Sequence, residues 1–347
     1  MPRVFVSDFI PGDILEPLAV LVEVDVWSQP GGGLGVAPQI SRRVPRETLV
    51  DRLADCVGWL SMLSDTIDAD LLDAAPTLRV ISQMSVGVDN IDVEACQIHG
   101  VSVGYTPDVL TETTADTAFA LIGAAVRRLP EGEEIVKSGA WGPWDPWQFL
   151  SGDLHGATLG IVGMGRIGQA IARRARGFDM QVLYTARTAK DVPGAKQLEL
   201  ARLLETSDIV VIAVPLSDET RGMIGRAELG MMKDSAVLVN VARGPIVDTD
   251  ALVEALANDM IGGAALDVTD PEPLPPDHPL LQYPNCLVVP HIGSATIPAR
   301  RAMAALAVAN LVAYLRREPM PAWLPGSAEQ PQGDYSAPGS PFESSDS

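Results

Sequence analysis

Short apolar runs separated by longer stretches of helical spacing set the plan of this chain. Residues 3–6 (RVFV), 57–60 (VGWL), 79–82 (RVIS) and 101–103 (VSV) read as buried strands. Between them lie helix-competent segments such as 46–56 and 93–99. A second alternation begins at Thr158, with strands near 159–163, 181–184, 209–214, 236–241, 263–266 and 287–289. Alternation of this kind predicts parallel α/β layers, and six strands in this order fit a doubly wound nucleotide-binding sheet. Residues 111–128 predict a helix with threonines at its start, acids in its first turns and arginines in its last. Its apolar residues run almost all round, which predicts burial between domains. Residues 299–317 predict a final helix rich in Ala, Leu and Val.

Glycine and proline mark two departures from this plan. Residues 28–44 (SQPGGGLGVAPQISRRV) read as a flexible surface loop. No Gly-Lys-Ser/Thr follows its GGGLG, so it is not a phosphate loop. Past Pro325 the composition shifts to Gly, Ser, Pro, Glu and Gln, which predicts a disordered tail over 326–347.

With 347 residues, the chain is long enough for two cores. Its 47% hydrophobic and 20% charged content is that of an ordinary globular protein. A formal net charge of −20 argues against nucleic acid as a partner, because binding phosphates requires a basic patch. Cys56, Cys96 and Cys286 sit in or beside apolar runs and form no C-x-x-C pair, the pattern of reduced, buried thiols rather than of a metal site. The first residues lack the long apolar stretch of a signal peptide, and no run approaches the ~18 residues of a membrane span. The end carries no retention or peroxisomal address. Cytoplasm is the expected location.

Candidate chemistry starts at residues 158–177, TLGIVGMGRIGQAIARRARG. An apolar strand enters a turn with Gly163, Gly165 and Gly168, and a helical segment follows and stops at Gly177. Strand, G-x-G-x-x-G and helix stand in the order a dinucleotide site requires. The first glycine permits the turn, the second lets backbone approach a pyrophosphate, and the third lets helix pack on strand. The helix N-terminus then offers unpaired N–H groups to the phosphates.

Three polar residues fall at the ends of later predicted strands, where an open parallel sheet places its ligand. Arg243 stands in VNVARGPIVD, Glu272 in DVTDPEPLPPDHPL and His291 in VVPHIGSAT. Singly, each has a plain structural alternative: a solvent-facing arginine, a loop acid, a strand-end histidine. Together they supply what ketone reduction needs besides a hydride donor. The planar fork of an arginine suits a substrate carboxylate. Histidine suits proton exchange near neutrality, and a hydrogen-bonded carboxylate stabilises its charged form.

The set GMGRIG, VARGPIVD, DVTDPEP and PHIGSAT resembles the D-isomer-specific 2-hydroxyacid dehydrogenases. The resemblance extends over nearly the whole chain outside 28–44 and the tail. The segments MSVGVDNID, VGYTPDVLTETTAD, RRLPEGEEIVKSGAWGPW and EPMP are similar to its glyoxylate/hydroxypyruvate reductase branch. The resemblance implies two Rossmann-like doubly wound parallel-sheet domains with the active site in the cleft between them. Residues 1–108 and 295–325 would form the flavodoxin-like substrate domain, and 109–294 an inserted dinucleotide domain. It implies Arg243, Glu272 and His291 as the catalytic trio. Ser85, Val86 and Gly87 would bind the substrate carboxylate with Arg243 and His291. Cofactor contacts would come from Gly163, Gly165, Arg166, Ile167 and Gly168 in the first turn. Further contacts would come from Arg187, Thr188, Pro215, Thr220, Val241, Ala242, Arg243, Asp267, His291 and Gly293.

Two implied features also have a basis in the residues themselves. Trp141, Trp144 and Trp147 crowd one irregular loop, which is either a packed plug or an interface arm. The resemblance favours the arm, with Trp144 entering the neighbouring subunit's pocket in a homodimer. An NAD site wants an acid at the end of its second strand, but that end reads LYTARTAK. Arg187 there can pair with a 2′-phosphate, so NADPH is expected over NADH. The expected function is reduction of glyoxylate and hydroxypyruvate, with no metal. The rivals are an NAD-linked lactate, phosphoglycerate or phosphite dehydrogenase, and a nucleotide-sensing co-repressor whose partners bind a surface. One departure from the branch is Asn90, where a histidine would be expected.

Overall fold

The computed structural model describes residues 1–27 and 43–331. It divides into two compact units, Met1–Pro107 with Arg301–Ser347, and Asp108–Arg300. The first unit contains β1 (Arg3–Val6), α1 (Gly12–Ala19), β2 (Glu23–Val26), α2 (Arg46–Leu53), β3 (Cys56–Ser61), α3 (Ala69–Asp73), β4 (Val80–Gln83), α4 (Val93–Ile98) and β5 (Ser102–Gly104). The second contains α5 (Thr111–Val126), α6 (Leu129–Lys137), β6 (Thr158–Val162), α7 (Arg166–Ala175), β7 (Gln181–Thr185), β8 (Ala195–Gln197), α8 (Leu200–Thr206) and β9 (Ile209–Ile212). It continues with α9 (Arg226–Leu229), β10 (Val237–Asn240), α10 (Thr249–Ala257), β11 (Gly263–Leu266) and β12 (Cys286–Val288). The boundary at Arg300 falls inside the last helix, α11 (Ile297–Leu315).

All pairings in both sheets are parallel. The first sheet runs β2-β1-β3-β4-β5, so the chain reverses direction of travel between β1 and β3. The second runs β12-β11-β10-β9-β6-β7-β8 and reverses between β6 and β9. Such switch points open a crevice at the carboxyl ends of the strands. Both faces of each sheet are buried, which is why the strands read as continuous apolar runs rather than alternating ones. In the second sheet Leu159, Ile161 and Val211 face one core, while Val162, Val210 and Ile212 face the other. In the first, Phe5, Trp59 and Ile81 belong to one core, and Val4, Val6 and Leu60 pack with Leu311 of α11 in the other.

Four sequence expectations change here. The edge strands β2 and β8 were not foreseen, because EVDV is at most half buried, AKQ is mostly exposed, and neither carries an apolar run. Helix α5 buries one face, chiefly Ala115, Ala118, Leu121 and Ile122, rather than all sides. Its outer turns pair with α7 instead, Glu112 with Arg173 and Arg174, and Asp116 with Arg174. Cys56 and Cys96 are buried, but Cys286 is only partly so. Of the 28–44 loop only Arg43 and Val44 are described, and Val44 is a core residue.

The tail expected from 326 is fastened as far as Pro331; residues 332–347 lie outside the described residues. The Leu324 N–H donates to the Val103 carbonyl (2.8 Å), and the Val103 N–H donates to Ser327 Oγ (3.1 Å). Ser102 Oγ donates to the Glu329 carbonyl (2.8 Å). The first two of these bonds satisfy backbone groups that β5 would otherwise present as an open sheet edge. No helix of the described residues is long and apolar enough to cross a membrane.

Candidate active site

In the second unit, the turn after β6 has the geometry a pyrophosphate needs. Gly163 has φ +104°, and a Cβ there would come within 2.6 Å of the Ala213 carbonyl oxygen. A Cβ on Gly168 would run into the Gly163 carbonyl oxygen, so α7 can lie this close to β6 only without one. Gly165 faces open space and starts α7 with no side-chain cap, leaving the first N–H groups of the helix available. Arg166 turns to Asp108 (2.7 Å), and Ile167 packs against the core. Arg187 and Thr188 follow β7 and are exposed; the nearest acid to Arg187 is Glu219, 3.9 Å away. The Pro215 carbonyl accepts from Thr220 Oγ1 (2.8 Å), which shapes the loop after β9. The residues present therefore fit a dinucleotide.

Arg243, Glu272 and His291 follow β10, β11 and β12, three neighbouring strands, on the same carboxyl edge as the glycine turn. His291 Nδ1 lies 2.6 Å from Glu272 Oε1. Burial pushes the Glu272 carboxyl up, but the His291 hydrogen bond and charge, the Thr269 N–H and the Arg243 charge together hold it below its ordinary value. An ionised carboxylate only accepts, so Nδ1 carries a proton and Nε2 is left for other work. The Asp270–Pro271 and Glu272–Pro273 peptide bonds on either side of this acid are cis.

The backbone of His291 sits in the left-handed region at φ +52°, uncommon for a residue other than glycine. Asp267, at the end of β11 and 2% exposed, holds it there. Its carbonyl accepts the His291 N–H (2.8 Å), and its carboxylate accepts the Ile292 (2.7 Å) and Gly293 (2.9 Å) N–H groups. Burial pushes the Asp267 carboxyl above its ordinary value, against those N–H groups and the His291 charge. Asp267 and Gly293, expected as cofactor contacts, are thus partners of each other in a turn that presents the histidine. Asn240 does the same for Arg243: its Oδ1 accepts the Ala242 N–H (3.0 Å) and its Nδ2 donates to the Arg243 carbonyl (2.8 Å). Reading the sequence missed Asn240, whose only signal is a polar residue ending the apolar strand VLVN.

In the first unit, Ser85, Val86 and Gly87 follow β4. Ser85 is buried, and its hydroxyl donates to the Gly87 carbonyl (2.5 Å) and accepts from Gln83 Nε2 (2.9 Å). The N–H groups of Val86 and Gly87 have no hydrogen-bond partner among the described residues. Trp141, Trp144 and Trp147 are 72%, 86% and 77% exposed, so the tryptophan loop is not a packed plug of its own chain. A cavity of about 840 Å³ near Arg128, Asp208 and Asn285 lies at the amino ends of the second sheet's strands, the opposite edge from the trio.

Comparison with known proteins identifies the family. Residues 119–293 match the NAD-binding domain of the D-isomer specific 2-hydroxyacid dehydrogenases. A glyoxylate reductase of Pyrococcus furiosus is 45% identical over 325 residues, covering 91% of this chain and 93% of that protein. A crystal structure of a Thermus thermophilus protein superposes with a TM-score of 0.86 at 45% identity, covering 93% of this chain and 99% of that one. An NADPH-dependent glyoxylate/hydroxypyruvate reductase of Sinorhizobium meliloti, in complex with NADP and malonate, gives 0.80 at 33% identity, covering 96% and 99%. With its glycine turn, its Arg–Glu–His set and these relatives, the chain belongs to the D-isomer specific 2-hydroxyacid dehydrogenase family of oxidoreductases.

Proposed function

We propose that this protein is an NADPH-preferring reductase of small 2-ketoacids, converting glyoxylate to glycolate and hydroxypyruvate to D-glycerate. The observation that carries the reading is the His291–Glu272 hydrogen bond on the edge where the glycine turn receives a dinucleotide. The glyoxylate reductases at 45% identity support the substrate class. A bound reduced nicotinamide supplies the hydride that adds to the keto carbon. As the carbonyl electron pair moves to oxygen, His291 Nε2 gives that oxygen its proton. Glu272, ionised and bonded to Nδ1, orients the ring and holds the proton on Nδ1. Arg243 offers the paired donors that clamp the substrate. Val86 and Gly87 offer two neutral donors to its carboxylate.

The decisive assay is loss of absorbance at the reduced-nicotinamide band with glyoxylate, NADPH and NADH side by side. Rapid oxidation favouring NADPH is the expected result; no oxidation with either cofactor would sink the substrate assignment. Preference should trace to Arg187. Its exposed 3.9 Å pair with Glu219 is weak, so the guanidinium can turn to a 2′-phosphate. Arg187→Ala should weaken NADPH binding about tenfold or more and leave NADH unchanged, as read by nucleotide fluorescence. Equal losses for both nucleotides would remove the preference argument.

We also propose a homodimer in which the tryptophan loop packs on a second copy. Three exposed tryptophans in one loop are too much apolar surface for an isolated chain. Light scattering should report twice the 36.8 kDa chain mass. A monomer at micromolar concentration would contradict this.

A further inference from the structure

The loop carrying the Val86 and Gly87 donors is fastened from below by two side-chain amides. Gln83, the last residue of β4, is 0% exposed. Its Nε2 lies 2.7 Å from Asn90 Oδ1, and Asn90 Nδ2 donates back to Gln83 Oε1 at 2.9 Å, closing a reciprocal amide pair. The second Nε2 hydrogen is shared between the Gly87 carbonyl (2.9 Å) and Ser85 Oγ (2.9 Å). The second Nδ2 hydrogen goes to the Asp65 carbonyl (2.6 Å), and Ser61 Oγ donates to Gln83 Oε1 (3.3 Å). Both hydrogens on each amide are thus committed.

These bonds act on the direction of the free donors. A peptide unit is planar and trans, so fixing a carbonyl fixes the N–H of the following residue on the opposite side. The Thr106 N–H holds the Ser85 carbonyl (2.9 Å) and thereby aims the Val86 N–H. Gln83 and Ser85 hold the Gly87 carbonyl on the far side. The Val86–Gly87 peptide, which carries the second donor, is bracketed between two anchored units. Two free N–H groups so constrained need no reordering to meet an anion.

We propose that Gln83 and Asn90 are positioning residues, a reciprocal amide pair that fixes the backbone donors for the substrate carboxylate. This rests on the 2-ketoacid reductase reading, and it gives Asn90 a task suited to an amide. A neutral imidazole, with one donor and one acceptor, could not pair reciprocally with Gln83 and also donate to the Asp65 carbonyl.

The test is the variant set Gln83→Met, Asn90→Ser and both together, assayed below each variant's melting temperature. The glyoxylate KM is expected to rise about tenfold or more, with kcat changing less and NADPH affinity within twofold of the parent. The inhibition constant of oxalate, an irreducible dicarboxylate, should rise by the same factor as KM. Because the amides act as one unit, the double variant should resemble the worse single one. Folded variants with parental KM and oxalate inhibition, even with lowered melting temperatures, would overturn the proposal and leave only a structural role. Should Gln83→Met fail to fold, Asn90→Ser carries the same test at a half-buried position. A parent protein that does not reduce glyoxylate would instead be the failure of the function reading.

Discussion

Replacing His291 by asparagine is expected to lower kcat by about two to four orders of magnitude, the usual worth of a positioned general acid. Asparagine is the informative choice because it tolerates the left-handed backbone that His291 adopts, so the turn held by Asp267 should survive. An alanine at φ +52° would mix lost chemistry with a strained loop. NADPH affinity should therefore stay near the parent value while turnover collapses, which single-turnover kinetics beside a nucleotide titration would separate. Retained turnover would remove the proton-donor assignment. Acidity bears on the same pair. Glu272 is held below its ordinary value, so its pairing contributes stability above the unfolded-state value. That contribution is lost only as pH falls through the lower folded-state value. A fall in rate on moving from about pH 7 to about pH 6 would then not report Glu272 taking up a proton.

Gly168→Ala is the second large effect, through the cofactor. The added methyl would meet the Gly163 carbonyl oxygen, a backbone atom that cannot turn aside as a side chain could. Either α7 lifts from β6 or the glycine turn deforms, and both displace the N–H groups that would cradle a pyrophosphate. NADPH affinity should fall about 100-fold, equivalent to about 2.7 kcal/mol, with the trio untouched. Isothermal titration measures it directly. Parental affinity would mean that the turn does not bear on the nucleotide.

How much of this was legible beforehand depended on the range over which each feature is encoded. Strands such as 3–6 and 263–266 announced themselves because burial on both sheet faces demands uninterrupted apolar residues. The half-exposed edges β2 and β8 carried no such demand and went unseen. Helix α6 escaped for the same reason, since it buries no residue in this chain. The glycine turn was readable because its chemistry is local: three glycines, a strand and a helix within twenty residues. Glu272 and His291 were readable only as candidates, each with an ordinary alternative.

By itself, then, the sequence determined the parallel α/β class and marked the glycine turn, Arg243, Glu272 and His291 as candidates. Those features reside in local periodicity and in residue chemistry at strand ends. The tertiary structure alone decided that Glu272 meets the Nδ1 of His291, and that Asp267 and Asn240 build turns rather than stand as bare polar residues. It also decided that Gln83 and Asn90 close on each other beneath two free N–H groups, and that Leu324 and Ser327 bond the open edge of β5. Directional contacts of this kind form when folding brings chosen polar groups within about 3 Å of one another, and no periodicity along the chain records such a distance.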